Sequence, residues 1–212
     1  MNKRDPLNYI LLGIDYFVRQ WNLVVGRFRF AILCAFWGVP YGKIGRFVGK
    51  TIIRTLRRGD IVLGNNVMFI SGQRMNPIIA TTPTVLTTLH GGKITIGDGC
   101  RMTSPFIGSA EEVKIGNNVM VSGGVKIMDT NFHSVDHVVR RIKLGDVDGM
   151  PLPVEIGDDV FIGLNATILK GSRIGARSIV AANSVVSCID VPDDSIVFGN
   201  PAIVKKARRI KH

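Results

Sequence analysis

The sequence predicts a mainly β protein, built as a coil of short parallel strands, with a helical extension before the coil and one protruding loop. The first observation is a six-residue period, because aliphatic residues fall at every sixth position over 156–186. The second is the residue that follows them, which is glycine in three cases. The third is a content of 24 glycines with only 7% aromatic residues, which indicates many turns. The aliphatic series is Ile156, Ile162, Ile168, Ile174, Val180 and Val186.

A period of six matches neither the 3.6 residues of a helical turn nor the alternation of an ordinary hairpin. It indicates one short strand and one tight turn every six residues, with the aliphatic side chain pointing inward each time. Three such strands close a triangular coil of about eighteen residues, and stacked coils bury a continuous aliphatic column. A shorter run in the same register, Ile115, Val121 and Ile127, extends the repeat toward the N-terminus.

The repeat is interrupted at residues 71–92 and 129–153. In a stack of coils, such interruptions are loops pushed out of the column, and loops carry function more often than the scaffold does. We therefore expect residues 129–153 to form the protruding loop and to contribute to the functional site.

Residues 7–33 have the pattern of an amphipathic helix or a pair of helices with a wide apolar face. Two roles remain open for this segment: it caps the open end of the column or packs on a partner subunit, or it docks on a membrane surface. The polar face consists of Asn8, Asp15, Arg19, Asn22, Gly26 and Arg29.

Residues 43–57 also have helical spacing, although Ile44-Gly45 and Val48-Gly49 resemble degenerate repeats and make an early β-coil the alternative. The predicted organisation is a helical extension at 1–58, a β-helix domain at 59–204 that includes the loop 129–153, and a basic tail at 205–212.

The net charge of +11 is unevenly distributed along the chain. Residues 43–58 carry six bases and no acid, and residues 205–212 carry five bases, whereas residues 59–204 carry eleven bases and fourteen acids. A nucleic-acid-binding protein would carry bases across its reading surface, so we expect no nucleic-acid partner. Basic flanks beside an apolar N-terminus instead suit an anionic membrane surface.

The three cysteines are far apart in the sequence and have no zinc-binding spacing, which indicates a reducing compartment. The apolar N-terminal segment is interrupted by charges, so we expect neither a membrane-spanning helix nor a cleaved signal peptide. These features predict a cytoplasmic protein, with peripheral attachment to the inner face of the membrane as the alternative location.

The repeat and its ending, Phe198-Gly199-Asn200-Pro201-Ala202 before a basic tail, resemble the hexapeptide-repeat acyltransferases. The resemblance covers about residues 60–210 and is nearest to the sugar and polysaccharide O-acetyltransferases, which include the galactoside and maltose acetyltransferases. It implies a left-handed β-helix and a homotrimer with acyl-CoA between neighbouring columns. It also implies transfer of acetyl from acetyl-CoA, without a metal, to a sugar hydroxyl of a cell-surface polysaccharide or its precursor.

Acyl transfer from a thioester to a hydroxyl needs a base for the hydroxyl proton, and histidine suits this role near neutral pH. The resemblance implies His133 in the loop after Ile127 as the general base. Asp129 or Asp136 would orient it, and Asn131 lies between them.

For the acyl donor, the resemblance implies main-chain groups and basic residues of the last coils. Cys188 departs from the family pattern, in which a lysine helps to bind the phosphates of the cofactor; Arg177, Lys170 or the basic tail could compensate. For the acceptor, Thr103 and Ser104 lie near the position of an asparagine in the sugar enzymes. The expected cofactor-binding residues are Gly163, Ala182, Ser187, Lys205 and Lys206.

Two alternatives belong to other classes. Some β-helix proteins are zinc carbonic anhydrases with three histidine ligands across a subunit interface, and His90, His133 and His137 could supply them. The other alternative is a scaffold or binding protein without catalysis.

Overall fold

The computed structural model describes residues 6–43, 45–72, 82–142 and 150–206, with side chains from Leu12 onward. In these residues the chain forms a left-handed parallel β-helix preceded by one long helix, which confirms the predicted fold class. The helices are α1 (Pro6–Trp37) and α2 (His137–Ile142). The strands in chain order are β1 (Phe47–Gly49), β2 (Thr51–Arg54), β3 (Ile61–Leu63), β4 (Met68–Ser71), β5 (Thr84–Thr88), β6 (Lys93–Ile96), β7 (Arg101–Thr103), β8 (Phe106–Ser109), β9 (Glu112–Ile115), β10 (Met120–Val121), β11 (Lys126–Met128), β12 (Val154–Ile156), β13 (Phe161–Ile162), β14 (Thr167–Ile168), β15 (Arg173–Ile174), β16 (Ile179–Val180), β17 (Val185–Val186), β18 (Asp190–Val191), β19 (Ser195–Gly199) and β20 (Ala202–Lys206).

The strands lie in three parallel sheets, and every third strand belongs to the same sheet. The first face contains β1, β4, β7, β10, β13, β16 and β19, with β20 added antiparallel at its end. The second face runs from β2 to β17, and the third from β3 to β18. Three consecutive strands therefore make one coil, and the described strands form six stacked coils. We call the turns from the first to the second face the first corner, those from the second to the third face the second corner, and those from the third face to the next coil the third corner.

The core is the inward-pointing residue of each strand, stacked on its equivalent in the next coil. Ile162, for example, pairs with Val121 on one side and Val180 on the other, and all three are buried. The aliphatic series predicted from the six-residue period is buried throughout, as are the small residues Ser172, Ser178 and Ser184 at the corners. Each isoleucine removed from water in this way contributes about 1.5–3 kcal/mol, so the repeat itself supplies the stability of the column.

The third corner carries a ladder of asparagine and aspartate side chains between successive coils. The backbone N–H of Asn65 donates to Asp98 at 2.6 Å, that of Asp98 to Asn117 at 2.9 Å, and that of Asn117 to Asp158 at 2.7 Å. The backbone N–H of Asn65, and then its side-chain amide, hold the pKa of Asp98 below its ordinary value. The ladder satisfies the turn N–H groups that parallel pairing leaves without a partner.

Helix α1 covers the N-terminal end of the column. The ring of Phe30 stacks on that of Phe47, with centroids 3.6 Å apart and planes 9° apart, and both rings are buried. At Gly26 the helix approaches the β1 backbone so closely that a Cβ atom would overlap the carbonyl group of Phe47. Since β1 is the edge strand of its sheet, α1 shields an edge that would otherwise be open to pairing.

The predicted boundary at residue 58 is wrong, because the helical extension ends at Trp37 and the first coil already contains β1 and β2. Phe47 pairs with Phe69 and Ile52 with Val85, so the early-coil alternative for residues 43–57 holds over these strands. Gly49 has φ 81°, a turn conformation that a helix does not allow. The bases of residues 43–57 have helix-like spacing because the turns between short strands also place an exposed side chain at every third or fourth position.

The predicted tail also begins later than expected, because Lys205 and Lys206 belong to β20 and pair with Ile196 and Ser195. The rest of the tail, residues 207–212, lies outside the described residues, as do 73–81 of the first interruption and 143–149 of the second. Among the described residues, no helix has both the length and the hydropathy that crossing a membrane requires.

Candidate functional site

The loop that follows β11 is anchored by a buried carboxylate. Asp129 is fully buried, and it accepts hydrogen bonds from the Ser109 hydroxyl at 2.7 Å and the backbone N–H groups of Ala110 and Glu111 at 2.7 and 2.8 Å. These donors belong to the second corner of the preceding coil. The start of the loop is therefore fixed to the column, and the Asp129 carboxylate serves this attachment.

The loop then lies back over the second face. The Phe132 ring makes an edge contact with Phe106, with centroids 6.2 Å apart, and lies over Gly108, where a Cβ atom would come within 3.0 Å of its tip. Phe132 has φ 61°, an unusual conformation for an aromatic residue that reverses the chain here. His133 follows directly and is exposed, so the turn presents its imidazole at the surface beside the second face.

The second candidate carboxylate, Asp136, caps helix α2. Its Oδ1 accepts the backbone N–H groups of Val138 at 2.7 Å and Val139 at 3.1 Å. Arg140 holds the turn before the helix by donating to the carbonyl oxygens of Ser134 and Val135. Among the described residues, neither Asp129 nor Asp136 hydrogen-bonds His133, so both predicted orienting carboxylates have other partners here. Asn131 is exposed on the same loop.

A largely apolar cavity of about 610 Å³ lies on the second face next to this loop. Ser104 contributes to its wall: the residue is buried, has φ 45°, and its hydroxyl has no hydrogen-bond partner among the described residues. Thr103, the other predicted acceptor residue, ends β7 and is half-buried. The cavity is lined by Thr82, Pro83, Val85, Ser104, Phe106, Gly124, Val125, Lys126, Met128, Phe132 and Asn165.

Above the cavity, the first corner continues as a surface of small residues. A Cβ atom at Gly163 would lie 2.6 Å from the backbone nitrogen of Ala182, so these two predicted cofactor residues are stacked in successive coils. Gly124 and Asn165 are stacked in the same way one coil earlier. Gly163 is therefore buried beneath the main chain of Ala182, and Ala182 itself is exposed at the surface of the corner.

The remaining predicted cofactor residues lie elsewhere on the column. Ser187 is exposed at the second corner, next to the exposed Cys188. Lys205 and Lys206 are exposed on β20 at the end of the first face. The structure thus places Ser104, Gly163 and Ala182 on the first corner, where Ser104 shares the cavity with Phe132, and places the other three residues around the C-terminal end.

Arg177 and Lys170, two of the suggested substitutes for the missing lysine, have protein partners. Arg177 lies at the third corner and donates to Asp194 at 2.8 Å and Asp193 at 3.1 Å, and these bonds raise its pKa above the ordinary value. The Lys170 ammonium donates to the carbonyl oxygen of Met150 at 2.9 Å.

The zinc alternative needs a cluster of ligating side chains. Within residues 6–43, 45–72, 82–142 and 150–206, no group of three or more His, Cys, Asp or Glu side chains is placed to hold a metal. His90 is exposed at the second corner, two coils before the loop that contains His133 and His137.

The outer surfaces of the first and third faces differ in character. The first face exposes a stripe of apolar side chains, in which Met120 pairs with Phe161 and Phe161 with Ile179. On the third face, positive and negative side chains alternate along the column. Arg173 forms an ion pair with Glu155 at 3.0 Å and another with Asp190 at 3.5 Å. A cavity of about 670 Å³ lies over this charged face.

Comparison with known proteins agrees with the repeat and the fold. A family model described as the hexapeptide repeat of succinyl-transferase matches residues 153–188. A Mycobacterium tuberculosis protein named "Probable acetyltransferase Rv3034c" is 31% identical over 122 residues, which are 57% of this chain and 39% of that protein. The 2,3,4,5-tetrahydropyridine-2,6-dicarboxylate N-acetyltransferase of Staphylococcus aureus is 48% identical over 60 residues, 28% of this chain and 25% of that enzyme. The match to this chain covers between 39% and 56% of the length of each of the first four curated relatives.

Among solved structures, AntD matches the fold. AntD is an N-acyltransferase from Bacillus cereus, solved in complex with dTDP and 3-hydroxybutyryl-CoA; its TM-score is 0.63 at 20% identity, over 84% of this chain and 88% of AntD. The fold and repeat define a hexapeptide-repeat β-helix. Within that class, the chain resembles the acetyltransferases, as the sequence predicted.

Sequence reasoning missed part of the wall around the site. The six-residue pattern does not single out Phe106 and Phe132, because it has no position for an outward-facing aromatic residue. One signal was available: Phe132 directly precedes His133, and an aromatic residue in a polar loop needs an apolar surface to cover it.

Proposed function

We propose that the protein is an acyl-CoA-dependent O-acyltransferase that transfers acetyl from acetyl-CoA to a sugar hydroxyl of a cell-surface polysaccharide or its precursor. The observation that carries the proposal is the position of the His133 loop. Phe132 packs on Phe106 at the edge of the cavity, and the next residue is an exposed histidine on a loop whose start is bonded to the column. The acetyltransferase names of the curated relatives support the class of reaction.

In the proposed reaction, neutral His133 accepts the proton of the sugar hydroxyl as its oxygen attacks the thioester carbonyl carbon. The C–O bond forms, and the tetrahedral oxyanion then collapses. The C–S bond breaks, and the proton passes from the imidazolium to the departing thiolate. The acetyl group is thereby transferred without a covalent intermediate on the protein.

The first corner supports a site for the donor. Ala182 is small and exposed at this corner, which leaves room for a pantetheine arm, and the buried Gly163 lets the main chain of Ala182 pack closely on the preceding coil. Lys205 and Lys206 offer charge for phosphates at the end of the column. The Ser104 hydroxyl, which has no partner among the described residues, is suited to a polar group of the acceptor.

We also propose that the active form is a homotrimer. The apolar stripe on the first face is suited to burial against a neighbouring column, because an extended apolar stripe on a flat sheet favours association. Side-by-side packing would also enclose the cavity on the second face.

The direct test is consumption of acetyl-CoA by the full chain against a panel of cell-envelope glycans, with the products read by mass spectrometry. We expect a mass gain of one acetyl group on a glycan and release of free CoA. A product acetylated only on an amino sugar would correct the acceptor to an amine. No turnover with any glycan, together with zinc-dependent hydration of carbon dioxide, would replace the proposal with the carbonic-anhydrase alternative.

A further inference from the structure

Among the described side chains of helix α1, one apolar face packs on the column and a second is exposed. Gly26, Phe30 and Cys34 follow one another at four-residue spacing and are buried against the first coil. At 100° per residue, a second row lies on the opposite side of the helix and is exposed throughout. This outward face consists of Ile14, Phe17, Trp21, Val24, Phe28, Ile32 and Phe36.

The direction of this face follows from how the helix docks. Gly26 meets the carbonyl of Phe47, which belongs to the free edge of the first sheet, so α1 lies across the end of the column. The outward face therefore points away from the coils along the column axis. Neighbouring columns packed side by side through their flat faces would leave it uncovered.

The length of the helix adds to this exposure. Its 32 residues span about 48 Å, which is longer than the end of a triangular β-column of strands two to five residues long. The first described side chains, from Leu12 to Phe17, are mostly exposed. An apolar row of this length is unusual on the surface of a monomer and marks an interaction site.

The charges around the outward face are predominantly positive. Arg27 and Arg29 are exposed on the helix, whereas its described acid, Asp15, is paired with Arg19 at 2.7 Å. Residues 43–58, beneath the helix, add six exposed bases and no acid, and Asp60, the acid that follows in the first coil, is buried. An apolar row with bulky aromatic residues and a basic surround is complementary to an anionic lipid surface.

We propose that the outward face of α1 docks in the plane of an anionic lipid bilayer, so that the β-column stands on the membrane with its first coil nearest the lipid. The same helix thus closes the column with one face and binds lipid with the other. This proposal does not depend on acyl transfer.

The test is flotation of the full-length chain with vesicles of phosphatidylcholine alone or with one third phosphatidylglycerol. We expect binding to the anionic vesicles, at least tenfold weaker binding to the neutral ones, and a steep loss between low salt and about 0.5 M salt, where the Debye length is only a few ångströms. The double variant W21E/F28E should lose at least tenfold in binding. The matched control is I203E/V204E, which also introduces two glutamates at exposed apolar residues but at the opposite end of the column, and it should bind as the parent does.

Two results would overturn the proposal. One is the absence of binding to anionic vesicles at low salt, or equal binding by parent and W21E/F28E. In the other, the parent binds no vesicles and W21E/F28E sediments at a lower mass than the parent. That result would identify a second copy of the chain as the occupant of this face. Circular dichroism of each variant verifies that the β-helix has folded.

Discussion

The Asp129 carboxylate accepts the Ser109 hydroxyl at 2.7 Å in a fully buried contact between successive coils. The same carboxylate also binds two backbone N–H groups of the second corner. An aspartate four residues before His133 could have been its orienting partner, but its bonds are those of a structural anchor. The position of His133 therefore depends on Asp129 through the backbone of the loop.

We predict that Asp129→Ala lowers the free energy of unfolding by about 3 kcal/mol, because three donors lose their acceptor in a buried site. The matched control is Asp136→Ala, which removes a helix cap and should cost about 1 kcal/mol. Chemical denaturation of both variants measures the difference. Equal, small effects would show that the Asp129 bonds do not hold the loop.

A second prediction uses two phenylalanines on opposite faces of α1. Phe30 is 2% exposed and stacked on Phe47, whereas Phe28 is 71% exposed. We expect Phe30→Ala to lower the free energy of unfolding by about 3–5 kcal/mol. Phe28→Ala should stay within about 0.5 kcal/mol of the parent. Similar losses in thermal or chemical unfolding would contradict the assignment of the two faces.

The capping role of α1 shows what the sequence could and could not predict. The six-residue period predicted the column because each Ile or Val of the series points inward and stacks on the equivalent residue of the neighbouring coil. The boundary near residue 47 was missed because Phe47 and Ile52 are defined as strand residues by pairing with β4 and β5, which lie far along the chain. The orienting role of Asp129 was open for the same reason: its partners are 18–20 residues away.

Thiol reactivity offers a third prediction. Burial raises the pKa of Cys34 to about 12 and that of Cys100 to about 11, whereas Cys188 is exposed at the second corner. Since the thiolate is the reactive form, iodoacetamide at pH 8 should modify one thiol of the native protein and all three after denaturation. Cys188→Ser should remove the native reaction. Rapid labelling of Cys34 would mean that the helical cap opens readily.

The fourth prediction concerns the assembly. Phe161→Glu places a charge in the centre of the apolar stripe on the first face and should reduce a trimer to a species of 23.2 kDa in sedimentation. Val62→Glu is the matched control, because Val62 has the same 38% exposure but points outward from the third face. A parent protein that is active at 23.2 kDa would contradict the trimer.

The last prediction separates the two histidines of the loop. His133 follows Phe132, which packs beside the cavity, whereas His137 is the first residue of α2 and is exposed next to the capping Asp136. Loss of a positioned general base costs about 10²–10⁴-fold in rate. We therefore expect His133→Ala to lower kcat by at least 100-fold with little change in the Kd for acetyl-CoA, because the donor is held by other coils.

His137→Ala should leave kcat within about threefold of the parent, because its side chain has no assigned part in proton transfer and surface substitutions are mostly mild. Steady-state kinetics with the acetylated glycan identified above, and calorimetric binding of acetyl-CoA, distinguish the variants. Full activity of His133→Ala with loss in His137→Ala would reassign the base. If both variants kept full activity, neither histidine of the loop would be the general base, and the proposed mechanism would be wrong.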